Sequence, residues 1–302
     1  MKKILIIKHG SLGDLILSFG AMKTIKHQFP NADLFLVTQT NFKEIFKDLP
    51  YVEHIFEDNR KKNLSSVFSY FKIINKYKID LVVDLQNSGR TQIYHFFTKF
   101  FSNAKVLSAR KFSYYRYQQQ PLGIQHITQN HQDQLKFLNI DKYFISDLSW
   151  MAKSNRFKEK YIVIIPGASK SGEYKKWPIE KYAQVCNYLI KKNFKVFLTG
   201  SILDRSDINS IIQLAPQAKD MTEESKIDVF YDLCLHANLI ISNDTGPAHM
   251  AGLTNKDLIW LANDNKISRS CHPLGNKVHK ILSKNVKDIE TKDVIKKIDQ
   301  II

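Results

Sequence analysis

A short apolar run, Leu239-Ile240-Ile241, stops at Ser242-Asn243-Asp244-Thr245-Gly246 and is followed by Pro247 and a series of helix formers, Ala248-His249-Met250-Ala251. Such a pattern reads as a buried strand, a tight turn and a helix that begins at once. It recurs at the start of the chain. There, Lys3 to Lys8 has an apolar centre, His9-Gly10-Ser11-Leu12-Gly13-Asp14 supplies the turn, and Leu15, Phe19, Met22, Ile25 and Phe29 follow at three- and four-residue spacing. Strand-turn-helix units in series build a parallel sheet covered by helices on both faces.

The alternation continues between these two turns. Strand-like runs at Asp33 to Thr38, His54 to Phe56, Asp80 to Leu85 and Lys105 to Leu107 are separated by helical patterns at Phe42 to Leu49, Leu64 to Tyr77 and Thr91 to Phe101. The series breaks at the basic and aromatic loop Ala109 to Pro121, and the polar stretch Ala152 to Lys160 predicts a linker. A second series begins with a strand at Tyr161 to Ile165. A helix striped by Ile179, Tyr182, Ala183, Cys186, Leu189 and Ile190 follows, then a strand at Lys195 to Leu198, helices at Ser206 to Leu214 and Ile227 to His236, and a strand at Asp257 to Leu261 after the opening motif. Val286 to Ile302 is a Lys-rich amphipathic tail helix, expected to pack back on the first domain. At 302 residues the chain suits two domains, 1–152 and 153–302. The expected class is therefore α/β: two facing Rossmann-like, doubly wound domains with a ligand cleft between their strand carboxyl ends.

The net charge of +16 comes mostly from lysines scattered along the chain, which fits either a compositional bias or an acidic partner. Phosphorylated glycolipid, an anionic membrane surface and nucleic acid are the candidate partners, but no nucleic-acid motif is visible. Cys186, Cys234 and Cys271 lie too far apart to suggest a disulfide framework or a thiolate zinc site. The first apolar run is too short for a signal peptide and no run is long enough to cross a membrane, so a cytoplasmic protein is expected.

Several residues at the turns carry possible chemistry. Asp244 or Thr245 can cap the helix, Gly246 lets backbone approach a ligand, and the free amides of the first helical turn would suit a diphosphate. The structural alternative makes Asp244 only an N-cap and His249 only a packed helix residue. Asp14 can be a general base at its strand end or merely an acidic residue in a first helical turn. After Ile165, the loop Pro166 to Pro178 contains Gly167 and two lysines, Lys170 and Lys175, which can neutralise phosphates or be solvated surface residues. Gly200 and Asp204 follow the strand at 195–198, where a carboxylate can accept ribose hydroxyls or cap the next helix. The Gly10 and Gly13 spacing is not a dinucleotide fingerprint, which weakens an oxidoreductase reading. Asp244-Thr245-Gly246 has no second copy to make an aspartic-protease pair. No phosphate loop of the Walker type, no Gly-x-Ser-x-Gly elbow and no Asp-x-Asp occurs, and Cys271-His272 has no partner pair for a metal.

Taken together, Ser11-Leu12-Gly13-Asp14, the stretch from Gly167 to Lys175-Lys176-Trp177-Pro178, and Asp244-Thr245-Gly246-Pro247-Ala248-His249 resemble the bacterial heptosyltransferases of glycosyltransferase family nine. The resemblance implies a GT-B fold and inverting, metal-independent transfer of heptose from ADP-heptose to the lipopolysaccharide core, without a cofactor. It implies Asp14 as the base and Ser11 and Gly13 at the acceptor side. Lys175 would be the phosphate-binding lysine, and Asp244, Thr245 and Gly246 would surround the donor, with Gly167, Lys170, His249 and, more loosely, Asp204 completing that set. Arg90, Arg110, Lys111 and Arg116 lie in the half that would receive a lipid-linked saccharide at the inner face of the inner membrane. Gly20 stands where members usually carry proline. Two rival readings remain: a GT-B transferase with another nucleotide sugar or acceptor, and a basic nucleic-acid-binding protein.

Overall fold

β1 (Lys3–Ile7) is apolar at four of its five positions, and Ile4 to Ile7 are wholly buried because the strand has a neighbour on each side. In the computed structural model, which describes residues 2–43, 45–60, 65–152, 159–222 and 226–302, Ile4–Ile7 pair with Leu34–Val37 on one side and with Leu81–Asp84 on the other, both in parallel. Of residue 170 only the backbone is described. The chain divides into two compact units, Met1–Asp147 and Leu148–Ile302, a few residues before the expected boundary at 152/153. Most of the expected linker lies outside the described residues.

The first unit runs β1, α1 (Leu12–Gln28), β2 (Asp33–Thr38), α2 (Thr40–Lys43), β3 (His54–Glu57), α3 (Ser65–Tyr77), β4 (Leu81–Asp84), α4 (Gly89–Phe101), β5 (Lys105–Ser108), β6 (Tyr115–Arg116) and α5 (Ile127–Leu135). Its six strands lie in the order β3-β2-β1-β4-β5-β6. One core is formed by Leu5, Ile7, Phe35, Val37, Val82 and Val106 of the sheet against Tyr70, Ile74 and Tyr94 of the helices. Over the stretch from Phe42 to Leu49, where a helix was expected, α2 ends at Lys43 and a turn occupies 45–48, with residue 44 outside the described residues. β6 falls inside the loop read as irregular.

α1 is buried on almost every side, a consequence of the chain at 143–146 crossing its outer surface. There the Gly20 amide donates to Ser146 Oγ at 3.0 Å and the Phe144 amide to Thr24 Oγ1 at 2.8 Å. A Cβ at position 20 would sit 2.4 Å from the Phe144 carbonyl oxygen. Glycine is therefore the residue that lets this segment pass, and proline would also remove the amide that Ser146 accepts.

The second unit comprises β7 (Tyr161–Ile165), α6 (Ile179–Lys191), β8 (Lys195–Leu198), α7 (Arg205–Leu214), β9 (Lys219–Asp220), α8 (Ile227–His236), β10 (Leu239–Asn243), α9 (Gly246–Gly252), β11 (Leu258–Asn263), α10 (Lys266–Ser270), β12 (Val278–Ser283) and α11 (Thr291–Ile301). Its sheet order is β12-β11-β10-β7-β8-β9. Counted from β7, this is 3-2-1-4-5-6, as in the first sheet and as in a dinucleotide-binding sheet. β9 and β12 were not expected; β12 is an edge strand, half open to solvent, so no clean apolar run marks it. The tail helix, for which a seat on the first domain was expected, is α11. It buries Val294 and Ile298 in the second unit's core, and its Asp299 meets Tyr188 of α6 and Lys192 just after that helix.

Candidate functional site

In a sheet of this order, ligands bind outside the carboxyl ends of the two central strands, where the winding direction reverses. These ends are β1 and β4 in the first unit and β7 and β10 in the second. Most of the residues singled out in the sequence fall at one or the other.

In the first unit the chain leaves β1 through Lys8-His9-Gly10. Gly10 has φ +129°, and a Cβ there would lie 2.3 Å from Phe42 Cε2, so only glycine makes this turn without strain. Ser11 caps α1, and Asp14, the third helical residue, accepts from Ser11 N at 3.0 Å and from Ser11 Oγ at 3.1 Å, both on Oδ2. The structural role foreseen for Asp14 is thus real. It uses one oxygen only: among the described residues Asp14 Oδ1 accepts no hydrogen bond. The side chain is half-buried, so one oxygen anchors the helix start and the other remains able to take a proton. Gly13 is buried beside it.

Behind this turn lies a cluster that the sequence did not reveal. His9 Nε2 is 2.8 Å from Asp58 Oδ2, Tyr94 OH donates to the same oxygen at 2.5 Å, and the Arg60 amide donates to Oδ1 at 2.8 Å. Burial pushes the Asp58 carboxyl up, but the bonds from His9, Tyr94 and the Arg60 amide outweigh it and hold the group well below the usual carboxylate range. Arg90 Nε lies 3.8 Å from Asp58 Oδ2, so its charge is partly engaged there. At the end of β4, Asp84 Oδ2 is 3.1 Å from His95 Nε2, both wholly buried.

The basic loop folds against the same strand end. Arg110 Nε donates to the Asn87 carbonyl at 2.5 Å and Arg116 Nε to the Ala109 carbonyl at 3.4 Å. Arg110, Arg116, Tyr117 and the stretch from Gln118 to Leu122 line a groove of about 660 Å³. Lys111 is exposed and is not among the lining residues.

In the second unit, Lys175 and Asp244 come together: Nζ lies 2.8 Å from Oδ2. Burial lowers the lysine pKa, yet the Asp244 carboxylate more than compensates and the net shift is upward, so Lys175 is held as a cation. Asp244 is not the N-cap. Thr245 is, and its side chain makes no cap bond, so the hydroxyl and the first amides of α9 are not joined to each other. Because α9 has only 7 residues its dipole is small, and the cation at this turn is Lys175, whose charge Asp244 engages. His249 is buried in α9. The side chain of Lys170 lies outside what is described.

Gly167 and Asp204 also meet. A Cβ on Gly167 would be 2.4 Å from Asp204 Cγ, while Asp204 Oδ2 accepts from Ser201 N and Ser201 Oγ, each at 2.8 Å. The Asp204 side chain therefore closes a helix start and packs on the Gly167 backbone. Asn243 is a hub that sequence reasoning missed: its Oδ1 accepts from Trp177 N at 3.1 Å and Tyr182 OH at 2.8 Å, and its Nδ2 donates to the Pro166 carbonyl at 2.5 Å. It fastens β10, the loop after β7 and α6 into one frame, with the Trp177 indole donating to the Ile289 carbonyl below. The only hint was a polar residue at the end of an apolar strand.

The chain is similar along most of its length to proteins of one family. The profile of glycosyltransferase family 9 (heptosyltransferase) matches residues 67–298. Lipopolysaccharide heptosyltransferase 1 of Campylobacter coli is 24% identical, with 99% of this chain and 98% of that one covered. Among solved structures, the family 9 glycosyl transferase of Veillonella parvula superposes with a TM-score of 0.83 at 16% identity, covering 99% of this chain and 97% of that one. E. coli heptosyltransferase WaaC with ADP gives 0.80 at 14% identity, covering 99% and 100%. The fold is that of the GT-B enzymes, and the chain is a glycosyltransferase belonging to glycosyltransferase family 9, the heptosyltransferases.

Proposed function

We propose that this enzyme transfers a heptose from ADP-heptose to a lipopolysaccharide core acceptor, with inversion and without a metal. The observation that carries this reading is the Lys175–Asp244 pair at the carboxyl end of β10, an ammonium held in place by a carboxylate where a nucleoside diphosphate would lie. Two relatives named above support the donor and acceptor classes: one is a lipopolysaccharide heptosyltransferase and another was solved with ADP. Asp14 takes the proton of an acceptor hydroxyl through its uncommitted oxygen, while Ser11 holds the other. The hydroxyl oxygen then forms a bond to the anomeric carbon, and the bond from that carbon to the diphosphate breaks on the opposite face. ADP leaves with the electron pair. Lys175 and the amides of Thr245 and Gly246 meet the charge that develops on the leaving phosphate. Asp204 and Gly167 border the ribose, and Arg110, Lys111 and Arg116 meet acidic groups of the acceptor, with Arg90 contributing from α4.

A thermal-shift comparison tests the donor class: ADP and ADP-heptose raise the melting temperature more than UDP- or GDP-sugars at equal concentration. A larger rise with a UDP- or GDP-sugar would reassign the donor. With ADP-heptose and a deacylated core acceptor, turnover is unchanged by EDTA and the product linkage, read by NMR, is inverted relative to the donor. Retention, or loss of turnover in EDTA, contradicts the mechanism.

A further inference from the structure

α4 is turned inside out. Its buried face carries Thr91, Tyr94, His95 and Thr98, and its outer face carries Ile93, Phe96, Phe100 and Phe101. The inward side chains are committed: His95 to Asp84, Tyr94 to Asp58, and Thr98 Oγ1 to Tyr70 OH at 2.9 Å. The helix cannot roll to hide its phenylalanines without breaking these buried bonds. Phe68 of α3 is exposed as well, so that five large apolar side chains of the two helices stand between 39% and 68% exposed. The rings of Phe71, Phe96, Phe97, Phe100, Phe101 and Phe112 form a continuous patch, joined at its middle by Phe96 and Phe97 with 5.6 Å between centroids. Phe96 touches Phe100 (4.9 Å between centroids) and Phe112 (5.3 Å), and Phe101 touches Phe97 (5.9 Å) and, across to α3, Phe71 (6.3 Å). A patch of this kind on a folded chain marks an interaction surface.

Its charge narrows the partner. No Asp or Glu occurs between Asp84 and Asp133, while Arg90, Lys99, Lys105, Arg110, Lys111 and Arg116 all lie there. α3 adds Lys72 and Lys76 and has no acidic residue. Lys72, next to Phe71 in the chain, and Lys99 are both exposed, and Lys99 Nζ lies 5.8 Å from the Phe100 centroid. A second copy of this chain on the patch would set cations against cations. An anionic lipid surface offers acyl chains to the rings and phosphates to the lysines.

We propose that the α3–α4 face docks the chain on an anionic bilayer, with Ile93, Phe96, Phe100 and Phe101 entering the acyl boundary and Lys72 and Lys99 meeting headgroup phosphates. The lipid-linked acceptor of the proposed function gives the dock its use, but vesicle binding is read independently of it. The test is cosedimentation of the full chain with phosphatidylcholine vesicles, with and without phosphatidylglycerol. Wild type pellets with the anionic vesicles and not with the neutral ones. Phe96→Ser/Phe100→Ser/Phe101→Ser lowers the partition coefficient about tenfold or more, and Lys72→Glu/Lys99→Glu removes the preference for anionic lipid. Both variants keep the wild-type melting temperature and its rise with ADP, because the changed side chains are exposed. Wild-type protein that stays in the supernatant, or variants that pellet as wild type does, overturn the proposal. So does a sedimentation-velocity dimer that the phenylalanine variant dissolves, since a second copy would then cover the face. Failure to turn over ADP-heptose would fell the proposed function and leave the vesicle result standing.

Discussion

Replacing Gly167 by alanine tests how tightly the loop after β7 is coupled to Asp204. The added Cβ would lie 2.4 Å from Asp204 Cγ and Oδ1, against an ordinary carbon contact of roughly 3.5 Å, so the carboxylate must move by about 1 Å. It cannot move freely, being 7% exposed and bound twice to Ser201 at 2.8 Å. Losing that helix-start arrangement costs about 1 kcal/mol, and overpacking a closed site adds about 1–2 kcal/mol. The sum, about 2–3 kcal/mol, lowers the melting temperature of the second unit by roughly 5–10 °C. Calorimetry on Gly167→Ala, Asp204→Ala and the double variant separates the clash from other effects. With the carboxylate gone the alanine has nothing to strike, so Gly167→Ala in the Asp204→Ala background costs less than about 1 kcal/mol, a coupling of about 1–2 kcal/mol. Strict additivity would show that Gly167 and Asp204 do not constrain each other and would refute the packing account of this loop.

Lys175→Met weakens ADP binding by about ten- to a hundredfold in titration calorimetry, the loss of a charge-assisted bond, and a change under twofold removes Lys175 from the phosphate site. Gly10→Ala forces a side chain into φ +129° and onto the Phe42 ring, displacing the turn that holds Asp14. It lowers kcat by roughly a hundredfold with little change in the Michaelis constant for the donor, and steady-state kinetics showing the reverse pattern would contradict the assignment of this turn to catalysis. Asp58 and Asp84 have depressed pKa values in the fold, so the stability they contribute is fully present above the unfolded value of about 3.9 and is lost as pH falls through the folded values. The part of the first unit's melting that Asp58 and Asp84 supply therefore falls steeply below about pH 4, and Asp58→Asn makes that acid limb shallower. An unaltered acid limb in the variant would show that Asp58 is not among the groups responsible.

What the sequence made legible was what short-range pattern encodes. The opening strand and turn at 239–246 were readable because an apolar run and its stop signals are adjacent, and the matching turn at Gly10 to Asp14 for the same reason. β12 was not, because an edge strand carrying His279 and Lys280 has no continuous apolar run to recognise. The periodicity of Thr91 to Phe101 announced a helix but not which side it buries; His95 and Thr98 turn inward only because Asp84 and Tyr70, from other elements, await them. Within the candidate site, the residues beside glycine turns were found, and the supports were not. Asn243 reaches Tyr182 and Pro166 across 61 and 77 positions, and Asp58 reaches Tyr94 across 36, separations over which one sequence carries no pairing signal.

The central claim is that Asp14 serves the helix with one oxygen and the reaction with the other. Asp14→Asn is the measurement that divides them, because the amide oxygen can still accept from Ser11 while the side chain can no longer take up a proton. The account predicts a melting temperature within a few degrees of wild type, unchanged ADP affinity and a kcat lower by about a hundredfold or more. An Asp14→Asn enzyme that turns over ADP-heptose within twofold of wild type would contradict it.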